Sequence, residues 1–227
     1  MAGELITSEL VAYARDLFAP EDASLLALTR AAQAFGMPPD WEISPDVGRL
    51  FQVLCKAIGA RKVLEFGTLA GHSALWLARA LPADGKVISI EMNPDYAAFA
   101  RRQLAMTDVS GKVDIRVSAA RDALPALSQE VHERQEPFDA IFLDADKAHY
   151  SEFLAWSVGV LRPGGLLLAD NVLKCGSWNG RTLLDPLADD PRILGIREFN
   201  RQLASDPRFT SIIIPMRAGI AAALYLP

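Results

Sequence analysis

KVLEFGTLAGHSALWLARALPADGKVISIE, residues 62–91, holds the pattern from which the architecture follows. KVLEF (62–66) is a short apolar run suited to a buried strand. The glycine-bearing turn 67–71 comes next, then a helical stripe from Ser73 to Leu81, then a second strand, KVISIE (86–91). A strand, a crossover helix and another strand make a parallel pair. The same grammar continues downstream. Pro94 opens a helix to about Met106, VDIRV (113–117) is a strand, and a helix lies near 121–133. FDAIFLD (138–144) is the next strand, followed by a helix over roughly 150–160, a turn at Pro163-Gly164-Gly165 and the strand GLLLAD (165–170). Strands apolar throughout, alternating with helices, belong in a sheet covered on both faces. The expected class is α/β, a doubly wound, mostly parallel sheet. After a helix at 196–204, FTSIIIP and AGIAAALYLP flank a Met-Arg-Ala-Gly turn and predict a C-terminal antiparallel hairpin.

Upstream, residues 4–35 repeat apolar positions at three- and four-residue steps. Pro20 splits them into two helices, and Gly36-Met37-Pro38-Pro39 ends the second. Ser44-Pro45-Asp46 starts a further helix that buries Val47, Leu50, Phe51, Leu54 and Ile58. The chain has 227 residues, 51% hydrophobic against 22% charged, which excludes a disordered protein. Its net charge of −5 gives no general pull toward nucleic acid or anionic membrane. The longest apolar stretch, Ala218 to Leu226, is about half a membrane span. The opening MAGELITSEL has Glu4 and Glu9 where a secretory leader would be basic and then apolar. Two cysteines, Cys55 and Cys175, make neither a disulfide framework nor a thiolate cluster. These features predict one domain over 1–227, with a helical extension at 1–42, in the cytoplasm.

In such a sheet ligands bind at the carboxyl ends of the strands. The first strand ends in Glu65-Phe66-Gly67-Thr68-Leu69-Ala70-Gly71-His72-Ser73, where glycine lets backbone approach a ligand and a helix N-terminus follows. The second ends at Glu91, an acid placed to accept from both hydroxyls of a ribose. A nicotinamide site would show G-x-G-x-x-G, and Glu65 would repel a pyrophosphate. A carboxylate there suits a cofactor with a cationic amino acid, which points to S-adenosylmethionine. The fourth and fifth strands, adjacent in the expected order, end in Asp144-Ala145-Asp146-Lys147 and Asp170-Asn171. Asp144, Asp170 and Asn171 offer three oxygen ligands without a thiolate, a set for a hard cation, Mg²⁺ first and Mn²⁺ or Ca²⁺ next. Lys147, three residues past Asp144, is a candidate proton acceptor. Each feature alone has a plainer reading: a helix cap for Asp170-Asn171, a solvated lysine for Lys147. Their shared place beside a nucleoside site favours chemistry.

LEFGTLAGHSALWLARALPADGKVISIE, FDAIFLDADKAHY and GGLLLADNV together resemble the metal-dependent, S-adenosylmethionine-dependent O-methyltransferases, the family of catechol and caffeoyl-coenzyme A O-methyltransferases and their bacterial relatives. The resemblance runs from about Ile43 to the C-terminus and implies a Rossmann-like methyltransferase fold. By position it implies that Glu65, Gly67, Thr68 and Ser73 surround the methionine part of the cofactor and that Glu91 holds the ribose. Met92, Ala120 and Ile43 would line the adenosine pocket. Asp144, Asp170 and Asn171 match the metal ligands, Asp144 also bordering the cofactor, and Lys147 matches the catalytic base. The implied acceptor is a small aromatic vicinal diol, and the implied assembly a homodimer.

Several positions depart from the family. Lys174-Cys175 stand where a large residue is common after DNVL. Ala221 replaces a carboxylate that holds the second hydroxyl in catechol O-methyltransferase. Ala218-Gly219 replaces Asp-Gly in the terminal turn. The loop 172–192, with Lys174, Trp178, Arg181 and Arg192, is a candidate source of acceptor contacts or a plain surface loop. Two further functions remain open at this level: methylation of a hydroxylated tRNA nucleoside, which the net charge disfavours, and a non-catalytic S-adenosylmethionine-binding module, which four intact site residues oppose.

Overall fold

A computed structural model describes residues 7–173 and 180–227. The N-terminal helices α1 (Ser8–Phe18) and α2 (Ala23–Phe35) separate at Pro20, and Thr7 and Asp22 cap their first turns. Residues 1–6, including the start of the expected first helix, lie outside the described residues. Helix α3 (Pro45–Ala57) begins with proline in its first turn, as the Ser-Pro-Asp signal predicts. The strand–helix alternation then runs β1 (Lys62–Phe66), α4 (His72–Ala80), β2 (Lys86–Glu91), α5 (Pro94–Leu104), β3 (Val113–Val117), α6 (Ala120–Arg134), β4 (Phe138–Leu143), α7 (Tyr150–Ser157), β5 (Leu161–Ala169) and α8 (Pro191–Ser205). Strands β6 (Phe209–Ile214) and β7 (Ile220–Tyr225) complete a seven-stranded sheet of order β3-β2-β1-β4-β5-β7-β6. β1 to β5 are parallel, while β7 is antiparallel to both β5 and β6, giving the expected terminal hairpin.

The core has two halves, one on each sheet face. α2, α3, α4 and α5 pack on one side through Leu28, Phe51, Leu75 and Phe99. α6, α7 and α8 pack on the other through Leu127, Phe153 and Phe199. Strand side chains alternate between these halves. Leu64 and Phe66 enter one half and Val63 the other, so Glu65 points with Val63 toward the α4 side. The strand order reverses direction between β1 and β4, which opens a crevice at their carboxyl ends.

Helices α5 and α7 end two or three residues early, and two other boundaries differ more from expectation. β5 starts at Leu161 and passes through Pro163-Gly164-Gly165, with a register irregularity against β4, where the sequence reads as a turn. A bulge absorbs the glycines without ending the pairing. α8 starts at Pro191 rather than 196, because Asp190 accepts the backbone N–H of Arg192 and Pro191 fills the first helical position.

Candidate active site

The parallel register of β1 and β2 places Glu65 opposite Ser89. Both side chains are fully buried, and Ser89 Oγ donates to Glu65 Oε2 at 2.5 Å. Ser89 Oγ also lies 2.5 Å from Thr68 Oγ1. Ser73, buried in the first turn of α4, lies near enough to the same carboxyl to favour its ionised form. Glu65 Oε1 is buried without a hydrogen-bond partner. Burial pushes the Glu65 carboxyl up to about 8, only partly offset by its hydroxyl donors. A buried acceptor of this kind fits a cationic donor such as an α-ammonium group.

Glu91, at the tip of β2, clamps the glycine turn. Its Oε2 accepts the N–H groups of Thr68 at 3.1 Å and Leu69 at 2.9 Å, and its Oε1 accepts that of Asn93. An ionised carboxylate has about four acceptor positions, so three backbone bonds leave capacity for a ribose hydroxyl. Gly67 (φ +98°) and Gly71 (φ +99°) give the turn its left-handed corners. Gly67 is also a point of close approach: a Cβ there would lie 2.4 Å from the Asp144 carbonyl oxygen. Of the residues assigned to the adenosine pocket, Met92 is exposed just past β2 and Ala120 opens α6 past β3. Ile43 is buried in the α2–α5 half of the core.

The acid group forms at the tips of β4 and β5, which are hydrogen-bonded neighbours. Asp144 Oδ1 accepts from Lys147 Nζ at 2.6 Å, both side chains mostly buried. Asp170 is buried, and burial together with the Asp144 charge pushes its carboxyl up to about 6. Asn171 takes φ +64°, turning the chain at the strand tip, and its backbone N–H bonds Asp170. Among the described residues no group of three or more His, Cys, Asp and Glu side chains is arranged to hold a metal ion. The expected ligand set has two such carboxylates, and its third member is an amide. Two carboxylates at adjoining strand tips, one of them desolvated, followed by an amide side chain, are a donor set that fits a hard divalent cation.

Sequence reasoning missed several residues that hold this arrangement. Tyr150 is wholly buried, and its hydroxyl donates to the carbonyls of Leu143 and Asp170, tying the two acid-bearing strand tips together. A DADKAHY run gives no sign that the tyrosine points inward. Gly195 in α8 lets that helix press on the Lys147 turn, since a Cβ there would lie 2.4 Å from the Lys147 carbonyl oxygen. His72 sits 2.9 Å from Thr29 Oγ1 of α2 and 3.4 Å from Glu42 Oε2, linking the N-terminal segment to the glycine turn. Burial pushes His72 down to about 4, so its imidazole is neutral there. In the loop 172–192, Arg181 pairs with Asp185 and Arg192 with Asp190. Lys174, Cys175 and Trp178 lie outside the described residues.

With this geometry in hand, comparison places the chain among known proteins. Residues 18–226 match the O-methyltransferase family model, and the chain belongs to that family. It is 39% identical over 204 residues to a catechol O-methyltransferase of Niastella koreensis, covering 90% of this chain and 88% of that one. Among solved structures it resembles the O-methyltransferase TomG of Streptomyces achromogenes, involved in tomaymycin synthesis and bound to S-adenosylmethionine, with a TM-score of 0.86 at 32% identity and 96% of each chain covered. An O-methyltransferase of Bacillus cereus, in complex with S-adenosylhomocysteine, gives a TM-score of 0.83 at 32% identity, covering 94% of this chain and 96% of that one. The Rossmann-like methyltransferase architecture expected from the resemblance is thus the one observed.

Proposed function

We propose that this protein is an enzyme that moves the methyl group of S-adenosylmethionine to a hydroxyl of a small catechol-type acceptor, with Asp144, Asp170 and Asn171 holding a divalent cation, Mg²⁺ first and Mn²⁺ or Ca²⁺ as substitutes. The observation that carries this reading is the contact of Gly67 with the Asp144 carbonyl. It sets the candidate cofactor turn directly against the acid pair, so that donor and acceptor sites share one sheet edge. Glu65 and Ser73 bind the cofactor's amino-acid end beside Gly67 and Thr68, Glu91 holds the ribose, and Ile43, Met92 and Ala120 border the adenosine.

Held by Asp144, Asp170 and Asn171, such a cation would lower the pKa of a phenol bound to it. The chain's own residues do the remaining work. The glycine turn and the β4–β5 tips hold the two reactants for in-line displacement, the carbon–sulfur bond breaking as the carbon–oxygen bond forms and S-adenosylhomocysteine leaving. Lys147 takes the acceptor's proton. It does so as the neutral amine, becoming the ammonium, with its Nζ held at the site by Asp144.

The name of the Niastella relative and the oxygen-rich donor set support a diol. Among the described residues no helix is long and apolar enough to cross a membrane. The same reading takes the chain as one domain acting in the cytoplasm as a homodimer, without nucleic acid. A methyl-transfer screen over catechols, flavonoids, hydroxycinnamoyl thioesters and unmodified tRNA, each with and without Mg²⁺, tests it. Turnover is expected with a catechol and Mg²⁺. Methylation of tRNA alone, or of no acceptor, would contradict the reading.

A further inference from the structure

The turn between β6 and β7 holds Arg217 at φ +49°, in the left-handed region where a side chain other than glycine is strained. Such a residue persists where its surroundings fix it, and it marks a place to look for function. The turn is fixed from one side by the segment that follows Asp170-Asn171. Val172 N–H donates to the Gly219 carbonyl at 3.0 Å, and Leu173 N–H to the Ala218 carbonyl at 2.8 Å. Gly219 packs so closely that a Cβ would lie 2.5 Å from Leu173 Cγ. The turn therefore sits directly beside the acid-bearing tip of β5. From there Arg217 Nη1 donates to the backbone carbonyl of Glu42, on the N-terminal segment just before Ile43. The guanidinium thus links the β6–β7 turn to the N-terminal segment.

We propose that Arg217 is a specificity-determining residue that selects acceptors whose diol-bearing ring also carries an anionic group, a carboxylate first. The inference rests on the catechol reading above. Asp144 and Asp170 balance the charge of the divalent cation they hold, so the acid pair itself offers an acidic acceptor no net attraction. A guanidinium on the turn beside that tip supplies it, and its planar fork matches a carboxylate better than an ammonium does. The Glu42 contact fixes the side chain's direction, which lowers the entropy lost when an anion docks.

Calorimetric titration in the presence of S-adenosylhomocysteine and Mg²⁺ tests this with two probes of equal size, 3,4-dihydroxybenzoate and its neutral amide. The wild-type protein is expected to bind the acid about tenfold more tightly, the scale of a charge-assisted hydrogen bond. Arg217→Gly should remove that preference and leave amide affinity within about twofold. Its melting temperature should hold or rise, because glycine takes this φ without strain, and a residue with only a structural role would not show that pairing. Arg217→Lys should keep part of the preference. Equal affinities for acid and amide in the wild type, no binding of the acid, or a preference surviving in Arg217→Gly would each overturn the proposal. A preference lost in Arg217→Gly, with no methyl transfer to either probe, would uphold Arg217 and refute the catechol reading.

Discussion

Glu65 shows how a single residue reports on its ligand. Burial holds its carboxyl near 8, against an ordinary value of 4.5, so the ligand-free protein carries a proton there at neutral pH. A docking ammonium favours the carboxylate and expels that proton. Binding of S-adenosylhomocysteine at pH 7 should then release close to one proton, read from titrations in buffers of different ionisation heat. Release should vanish above about pH 9 and in Glu65→Gln. For stability the sign is fixed by the raised pKa: the contribution is complete below about 4.5 and is lost as pH rises through about 8. Glu65→Gln should flatten the fall in melting temperature of the ligand-free protein between pH 6 and 9. Tyr150→Phe, by removing the hydroxyl that joins the Leu143 and Asp170 carbonyls, should cost about 1–2 kcal/mol in urea unfolding and raise the acceptor KM with cofactor affinity retained.

At the scale of elements, the site depends on α8 lying against the Lys147 turn. Gly195→Ala would drive a methyl group into the Lys147 carbonyl. An overpacked contact of this kind costs about 1–3 kcal/mol and displaces backbone. Turnover should fall at least about tenfold while S-adenosylhomocysteine binding stays near wild type; full activity would mean that the α8 contact does not position Lys147. The five parallel strands and the terminal hairpin were legible because their apolar runs are bounded by glycine, proline and acids. The start of α8 was not, although Asp190-Pro191 is a strong cap signal, because it stands in a segment otherwise without periodicity. The early start of β5 was hidden by Pro163-Gly164-Gly165, which reads as a turn in isolation and becomes a bulge only when β4 is beside it.

At the scale of the whole molecule, the acids at the strand tips were legible one by one, since each ends an apolar run. What holds them together was not: the inward Tyr150, the Ser89 opposite Glu65 and the bridging Arg217 depend on register and on contacts between segments far apart in the chain. Helix α1 adds a surface feature of the same kind. It leaves Leu10, Val11, Leu17 and Phe18 exposed, an apolar stripe suited to another protein surface. The homodimer reading predicts a two-chain particle by light scattering, reduced to one chain in a Leu17→Glu, Phe18→Glu double variant. A monomeric wild type would contradict it.

The proposed chemistry depends on a hard cation held by Asp144, Asp170 and Asn171, and electron paramagnetic resonance titration of Mn²⁺ tests that most directly. The prediction is one Mn²⁺ bound per chain, displaced by excess Mg²⁺ and lost in Asp170→Ala, while S-adenosylhomocysteine affinity is kept. Absence of bound Mn²⁺ in the wild type, or binding unchanged in Asp170→Ala, would contradict it.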